Sequence, residues 1–325
     1  MDIKVQKYAP IIVPVYDRLE HLQRCISSLL SNKEAKMSVL YIVSDAAYKE
    51  EHIKRIESVR EYAREIKGFK DIKLLFRKNN MGAHNSIVAA VNEVLKDSDT
   101  FIFLEDDIIV SSNFLNYMNE GLRFYENNER IFSVCGFHLP FRVPQNYCED
   151  VYFYSCNSPW GFACWKSRWL SVNHDYFDRY SELKKDRKKY KLFVSIGFYI
   201  KGILQADSCR KIIADDLRVY YHMFQHNMCS VFPVVSKTQN WGFDGTGEHC
   251  GNKEVWWAKP ELDTRNQPTT FIPFNGYNEE LLLNHRKFQD KINGVLIAKW
   301  LKYTWGHRLW KKIKKVLGLV LFGVL

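Results

Sequence analysis

The segment Phe101-Ile102-Phe103-Leu104-Glu105-Asp106-Asp107-Ile108-Ile109-Val110 places three adjacent carboxylates between two apolar runs. The apolar residues that precede the acids predict a buried strand that ends at the first carboxylate. Ionised carboxylates repel one another and resist leaving water, so we expect a cation at this strand end. A hard divalent ion, which prefers oxygen ligands, meets that requirement.

The geometry of an extended strand limits how many of these acids one ion can contact. Side chains alternate between the two faces, so we expect Glu105 and Asp107 on one side and Asp106 on the other. The alternative interpretation is a solvated acidic turn that follows an edge strand.

The residues before the acids alternate between strand and helix patterns. Strands are predicted at 9–15, 38–43, 72–76 and 100–104, and helices at 19–30, 50–66, 86–95 and 113–125. This order predicts an α/β fold with a largely parallel sheet and right-handed crossovers. Ligands of such sheets bind at the carboxyl ends of the strands, which is where Asp17, Asp45 and the three acids fall.

From residue 131 onward the pattern changes to short strands, aromatic residues and turn residues. We expect residues 131–258 to form a second half that packs on the same sheet. The polar, proline-containing stretch 259–290 is expected to wrap over the body, and residues 291–325 form a basic tail.

The net charge of +10 is concentrated in that tail. After Asp290 the chain has eight Lys and Arg residues and no acid, so the first 290 residues carry a charge of about +2. This distribution argues against a nucleic-acid-binding surface on the folded body. Eight cysteines without paired spacing, and no cleavable signal peptide, favour a reduced intracellular setting.

Two loops in the first half carry groups that suit a nucleotide. Asp45, in "VSDAA", can accept a hydrogen bond from the N–H of a uracil ring. Gly82, in "NNMGAHNS" (79–86), precedes a predicted helix whose free N–H groups favour an anion or a base edge. No Walker loop and no GxGxxG motif is present, which argues against ATPase and dinucleotide-binding functions. Each of the two residues is also a common turn residue.

Three further motifs lie in the second half. "SPWGFACWKSRW" (158–169) is either a platform for a sugar or a packed aromatic corner. In "ADDLRVYYHM", one of Asp215 and Asp216 can cap a helix while the other acts as a general base. "NWGFDGTGEHC" (240–250) is a glycine-rich loop whose His249 is either a metal ligand or a surface residue.

With these motifs in order, residues 8–252 resemble nucleotide-sugar glycosyltransferases of the GT-A fold. The chain is most similar to bacterial family-2-like enzymes related to the N-acetylglucosaminyltransferase that initiates complex N-glycans. The resemblance rests on the motifs above together with "PVYDRLEHLQRCISSLL" after the first strand and "SSNFLNYMNEGL" after the acids. It implies a nucleotide-sugar-binding half at 1–130 and an acceptor-binding half at 131–258.

The resemblance also implies roles for individual residues. Asp45 contacts the uracil, Asp106 lies near the ribose, and Asp107 is the metal ligand. His249 is predicted as a second metal ligand from its place in the glycine-rich loop, which can bring an imidazole to a metal or a diphosphate. The other residues implied in donor binding are Pro14, Tyr16, Asp17, Arg18, Asn80, Gly82, Asn85 and Glu105. Trp160, Gly161 and Trp165 are implied in acceptor binding. The base aligns with Asp216, but Asp215 stands where the family usually has a tryptophan, which leaves the choice between these two carboxylates open.

The predicted activity is an inverting transfer of a sugar from a UDP-sugar to a glycan or lipid-linked glycan hydroxyl, assisted by Mn²⁺ or Mg²⁺, in cell-surface polysaccharide or lipopolysaccharide synthesis. The rival hypothesis is a non-catalytic carbohydrate-binding protein on the same fold. Release of UDP from a donor distinguishes the two.

The tail carries a separate prediction about location. Apolar residues recur at helical spacing on one side, and Lys311, Lys312, Lys314 and Lys315 occupy the other. Such a basic amphipathic helix is typical of an anionic membrane surface, and no apolar run is long enough to span a bilayer. We therefore expect a cytoplasmic protein that is peripheral on the inner face of the membrane. Docking of the helix onto the protein itself is the alternative.

Overall fold

The computed structural model of the protein describes residues 8–175, 177–197, 199–210, 213–247 and 255–292. Its strands are β1 (Ile11–Val15), β2 (Val39–Ser44), β3 (Asp71–Phe76), β4 (Thr100–Phe103), β5 (Ile108–Val110), β6 (Ile131–Cys135), β7 (Val151–Tyr154), β8 (Phe162–Trp165), β9 (Cys229–Pro233) and β10 (Thr238–Asn240). Its helices are α1 (Leu19–Leu30), α2 (Ile53–Glu65), α3 (Ala83–Val94), α4 (Phe114–Phe124), α5 (Lys166–Leu170), α6 (Arg179–Lys184), α7 (Arg187–Val194), α8 (Tyr199–Ser208), α9 (Asp215–Gln225) and α10 (Glu279–Ile292).

Among the described residues, eight strands form the central sheet in the order β3-β2-β1-β4-β8-β6-β9-β7. The first four strands are parallel, and β8 is antiparallel to both β4 and β6. Strand β9 runs parallel to β6, and β7 is antiparallel to β9. Six of the eight strands therefore share one direction, which confirms the predicted α/β class with a mostly parallel sheet.

Helices cover both faces of this sheet because side chains alternate along each strand. In β1, Ile11 and Val13 point into one core with Leu22 and Ile26 of α1. Ile12 points into the opposite core, to which α3 and α9 contribute. The spacing of apolar residues that predicts α1 is thus the spacing of its buried face.

A second, two-stranded sheet determines what lies next to the three acids. Strand β5 follows the acids directly and pairs antiparallel with β10, so that Ile108 lies opposite Asn240. The glycine-rich stretch after β10 therefore begins beside Asp107. Two segments that are more than 130 residues apart in sequence meet at this point.

The stretch 259–290 packs on the body through a few specific contacts. Lys237 and Asp263, both buried, form an ion pair of 2.6 Å. Phe271 stacks on Tyr117 with a centroid separation of 5.4 Å. Helix α10 buries His285 against Phe141. This helix continues past residue 290 to Ile292.

The predicted amphipathic tail helix lies outside the described residues. Within the described part of the chain, no helix combines the length and the apolarity that crossing a bilayer requires.

Candidate active site

The three acids after β4 lie in a turn, and their neighbour in space is Arg18. Strand β4 ends at Phe103, before the acids. Arg18 pairs with both Asp106 and Asp107, and its Nη1 lies 2.9 Å from Asp107 Oδ2. The prediction that Asp106 and Asp107 point to opposite sides is wrong, because strand alternation no longer applies once the strand has ended. The sequence predicted a cation here, and the chain supplies one of its own.

Burial disfavours the ionised form of the carboxylates in this region. We call Glu105, Asp106 and Asp107, together with Arg18, the acid corner. Burial, followed by the charges of Asp107 and Asp216, raises the pKa of Glu105 well above its usual value. Burial likewise raises the pKa of Asp106, while Arg18 opposes the shift. Burial lowers the pKa of Arg18, but the two aspartates more than offset it and the net shift is upward. We regard the Arg18–Asp106 pair as charged, because a guanidinium that contacts both carboxylate oxygens stabilises the ionised acid.

One oxygen in this corner is suited to a metal ion. Asp107 Oδ1 is buried and has no hydrogen-bond partner, and a buried carboxylate oxygen without a partner is a strong ligand for a hard cation. Among the described residues, no group of three His, Cys, Asp or Glu side chains could hold a metal. The described residues thus fit an ion that is bound by one protein ligand, Asp107 Oδ1, and takes its remaining ligands from outside this group of residues. The predicted second ligand, His249, lies outside the described residues.

The glycine-rich stretch after β10 covers Asp107. The Trp241 N–H donates to the Asp107 carbonyl at 2.9 Å. A Cβ on Gly242 would lie 2.1 Å from Asp107 Oδ2, so a larger residue would collide with the carboxylate unless one of them shifted. Two residues on, Asp244 pairs with His21 of α1 at 3.1 Å. The requirement for glycine at 242 is therefore a close approach of backbone to the acid corner.

An aromatic wall, defined here as Trp160, Phe243 and Trp257, stands beside this stretch. The rings of Trp160 and Trp257 stack with a centroid separation of 5.7 Å, and Phe243 packs edge-on against both. All three are only partly buried. The wall offers the flat apolar faces that sugar rings bind. Only Trp160 of the wall comes from the predicted "SPWGFACWKSRW" motif. The other two residues, Phe243 and Trp257, were not predicted as part of a sugar platform.

The other two predicted acceptor residues have packing roles in the structure. Trp165 is 4% exposed, and the Arg168 guanidinium lies 4.2 Å above its ring, so the structure does not bring Trp165 to the aromatic wall. Gly161 has a φ of +91°, and a Cβ there would lie 2.9 Å from Thr238 Cγ2. Glycine is required at position 161 because the backbone there packs closely against Thr238 of β10.

Asp45, directly after β2, organises the loop that precedes α3. Its carboxylate accepts hydrogen bonds from the N–H groups of Met81 and Gly82 at 2.9–3.0 Å. The Asn80 side-chain amide donates to it at 3.3 Å, and Asn85 donates to the Met81 carbonyl at 3.1 Å. Gly82 adopts a φ of +75°, which favours glycine. The residues predicted to surround the uracil, Asp45, Asn80, Gly82 and Asn85, thus belong to one hydrogen-bonded loop.

The residues that follow β1 are held by the neighbouring α2 region. The Tyr16 hydroxyl lies 2.7 Å from His52 Nδ1 and accepts from the Tyr48 N–H. Arg55 donates to Asp17 Oδ2 at 2.7–2.8 Å. Pro14 lies in β1 itself. Of this predicted group, Arg18 alone among the described residues reaches the acid corner.

The two candidate bases at the start of α9 have different surroundings. Asp215 pairs with His84 at 2.5 Å and with Arg218 at 2.8 Å. Within the described residues, Asp216 makes no hydrogen bond or ion pair. Asp216 is solvent-exposed, yet partial desolvation by the surrounding protein atoms, with the charge of Asp215, raises its pKa to about 7.

Asp216 is electrostatically coupled to the acid corner, because its charge contributes to the raised pKa of Glu105. This region, which we call the cleft, therefore combines a buried acid cluster, an unpaired carboxylate and an aromatic wall. Such a site can hold a charged diphosphate at one end and accept a proton from a hydroxyl at the other.

Sequence reasoning missed His84, Gly242, Phe243 and Trp257 as residues of the site. Phe243 and Gly242 stand inside the quoted glycine-rich motif, and His84 stands inside "NNMGAHNS". The signal that points to His84 is the aspartate at 215, because an acid in place of the expected tryptophan needs a new partner.

Comparison with known proteins supports a glycosyltransferase function for the first half of the chain. Residues 11–147 match the family model Glycosyl transferase family 2. The matched range contains Asp45 and the acid corner, and it ends before the aromatic wall and α9. The match supports a nucleotide-sugar-dependent glycosyltransferase of the GT-A type. No curated protein matches the chain.

Several solved structures show a remote likeness. A mannosyltransferase from Pyrobaculum calidifontis, in complex with GDP-Man and Mn²⁺, is 11% identical, with 53% of this chain and 49% of that chain covered and a TM-score of 0.37. S. aureus TarS 1-349 is 15% identical, with 52% and 51% covered and a TM-score of 0.36. GalNAc-T7 with UDP, GalNAc and Mn²⁺ is 12% identical, with 73% and 44% covered and a TM-score of 0.46. The chain spans about half the length of these structures. At such scores the likeness does not establish a shared activity.

Proposed function

We propose that this chain, whose residues 11–147 match a glycosyltransferase family, transfers a sugar from a UDP-sugar to a glycan hydroxyl with inversion at the anomeric carbon. The proposed reaction uses a divalent ion, Mn²⁺ or Mg²⁺. The proposal also includes a relationship to the N-acetylglucosaminyltransferase that starts complex N-glycans. The donor lies over the acid corner, and the acceptor lies along the aromatic wall.

The observation that carries the proposal is the difference between Asp215 and Asp216. Asp215 is engaged by His84 and Arg218, whereas the described structure gives Asp216 no partner. A general base must be free to meet the proton that it removes. Asp216 is therefore assigned as the base and Asp215 as a structural residue of the α9 N-terminus.

In the proposed step, the acceptor oxygen attacks the anomeric carbon from the side opposite the diphosphate. The new C–O bond forms as the bond from the anomeric carbon to the diphosphate oxygen breaks, and UDP leaves with that electron pair. Asp216 takes the proton of the attacking hydroxyl. General-base assistance of this kind typically contributes a factor of about 10²–10⁴ in rate.

Four residues of this chain are assigned to the donor and its ion. Asp107, through Oδ1, and His249 would hold the ion, which when bound offsets the negative charge that grows on the leaving diphosphate. Asp106 is assigned to the ribose. Asp45 is assigned to the uracil N–H. Its carboxylate already accepts from the N–H groups of Ala46, Met81 and Gly82 and from the Asn80 amide, so the uracil would replace one of these donors.

The cellular setting is proposed from the basic tail. Attachment of residues 291–325 to the anionic inner face of the membrane would bring the site to lipid-linked acceptors of polysaccharide or lipopolysaccharide synthesis. Binding of the full chain to phosphatidylglycerol vesicles at low salt, and its loss when the tail lysines are replaced by serine, tests this part. Equal binding by both proteins, or by neither, contradicts it.

The activity is tested by incubating the protein with a panel of UDP-sugars and Mn²⁺ and measuring released UDP. We expect release with at least one donor. The Asp216→Asn variant should lose about 10²–10⁴-fold of the rate while binding that donor as well as the unaltered protein does. If no donor yields UDP and the protein binds glycans nonetheless, the non-catalytic hypothesis is correct.

A further inference from the structure

His84 lies between two oxygen acceptors that belong to different elements. Its Nδ1 lies 2.5 Å from Asp215 Oδ1 at the start of α9, and its Nε2 lies 3.1 Å from the His174 carbonyl. A carbonyl and an ionised carboxylate only accept hydrogen bonds. The form that satisfies both contacts is therefore the imidazolium, which donates from both nitrogens. The side chain of His84 is 17% exposed, so these contacts are partly shielded from water.

The other end of the same short loop is held by Asp45. Its carboxylate accepts from the N–H groups of Met81 and Gly82, two and three residues before His84. Helix α3 starts at Ala83, so His84 is in its first turn. The stretch 79–84 is thus fixed to the donor side of the cleft at one end and to α9 at the other.

On the α9 side, Asp215 is held from two directions. Arg218, one turn further along the helix, donates to Asp215 Oδ1 at 2.8 Å, and its side chain is 5% exposed. His84 contacts the same oxygen from across the cleft. The orientation of the first turn of α9, and with it the position of Asp216, therefore depends on a contact made by His84 in the first turn of α3.

We propose that His84 and Asp215 are a pair of positioning residues that couple the donor-binding loop to the general base. When the loop is ordered by Asp45 and the donor, His84 fixes Asp215 and so places the neighbouring Asp216 against the acceptor hydroxyl. The proposal rests on the proposed function for its catalytic consequence. Its structural half, the link between 79–84 and α9, stands independently.

The structural half is tested by hydrogen exchange on the unliganded protein. In Asp215→Ala, the amides of residues 79–84 should exchange at least about fivefold faster, because one of the two anchors of the loop is lost. His226→Ala removes a histidine from the other end of α9 and should leave those amides unchanged. Unchanged exchange in Asp215→Ala overturns the proposal, whether or not the protein is an enzyme.

The catalytic half is tested with the donor and acceptor that the UDP-release screen identifies. His84→Ala should lower kcat by about 10- to 100-fold, since small misplacements of catalytic groups have effects of this size. The Kd for the donor, measured by calorimetry, should change less than about threefold. His84→Asn keeps a donor near the position of Nδ1 and should recover part of kcat.

A double-mutant cycle separates coupling from general damage. If the two residues act as one unit, His84→Ala combined with Asp215→Ala should have nearly the kcat of the worse single variant. Multiplicative losses, or a loss that appears only in the Kd for the donor, overturn the proposal. If the unaltered protein releases no UDP, the proposed function fails, and the exchange experiment alone decides whether the loop and α9 are linked.

Discussion

The two halves of the molecule bury charge of mostly opposite sign. In residues 8–130 the buried Asp, Glu, Lys and Arg side chains are all acids, and three of them, Asp45, Asp106 and Asp107, follow strand ends of the parallel sheet. Among the described residues of 131–258, buried charge is mainly cationic: Arg168, Arg179, Arg218 and Lys237, beside the single acid Asp207.

The buried charges also differ in how they are partnered. Arg168 donates to the carbonyls of Glu126 and Asn128, and Lys237 pairs with Asp263. These cations stabilise the fold. The acid corner of the first half, by contrast, keeps Asp107 Oδ1 without a partner. The partners of Arg168 and Lys237 therefore indicate structural roles, and the unpartnered buried oxygen of Asp107 is a candidate ligand atom.

The sharpest test of this contrast compares an acid from each half. Asp107→Ala should lose donor binding and turnover together, with kcat/KM reduced at least about 10³-fold, because it removes the buried, unpartnered Oδ1 that is assigned to the ion. Calorimetry with donor and Mn²⁺, together with UDP release, measures both losses. Asp216→Asn is the matched control, since it should lose turnover alone. If Asp107→Ala still binds the donor, the two halves do not divide binding and proton transfer in this way.

The structural role of the buried cations is tested by Lys237→Met. The change leaves Asp263 buried with Arg265 as its remaining cation, and the free energy of unfolding should fall by about 3 kcal/mol. Urea denaturation gives the loss. Lys185→Met breaks an exposed pair of the same 2.6 Å length and should leave the free energy of unfolding nearly unchanged. Similar losses in the two variants would show that burial does not set the strength of these pairs.

The pH dependence of turnover should report Asp216. Partial desolvation and the charge of Asp215 raise its pKa to about 7, and a base acts only when it is ionised. Below pH 7, kcat/KM should fall about tenfold per pH unit, and above pH 7 it should level off. Asp215→Asn removes the neighbouring charge and should move the midpoint to lower pH. A midpoint that stays in place, or moves upward, assigns the titration to another group.

The sequence predicted the first half far better than the second. The predicted helix 19–30 coincides with α1, and the predicted strand ends at Asp45 and at the three acids are confirmed. This success has a local cause, since the period of apolar residues and the alternation of strand and helix are visible within about 15 residues.

Helices α6 to α8 were not foreseen among the aromatic residues of the second half. They are short, at 6, 8 and 10 residues, and such helices depend on packing more than on their own propensity. The sequence nevertheless contains N-cap signals for two of them, because Asp178 and Asp186 cap α6 and α7 with side-chain hydrogen bonds.

For the candidate site, the types of residue were predictable and their pairings were not. The acids, the loop at Gly82 and the carboxylates at 215 and 216 stand out in the sequence. The contact between Arg18 and the two aspartates joins residues 88 and 89 positions apart, and no local pattern reveals it. The burial of Trp165 likewise depends on β8 lying between β4 and β6, which is a property of the sheet order.

The position of Arg18 also bears on how the protein can be handled. The Arg18 guanidinium neutralises part of the acid corner, so these acids have an internal counterion even without a metal. We therefore expect chelator-treated protein to keep its melting temperature while losing turnover, and to regain turnover when Mn²⁺ is added back. Activity in a single sample would then be switched reversibly, without a cycle of unfolding and refolding.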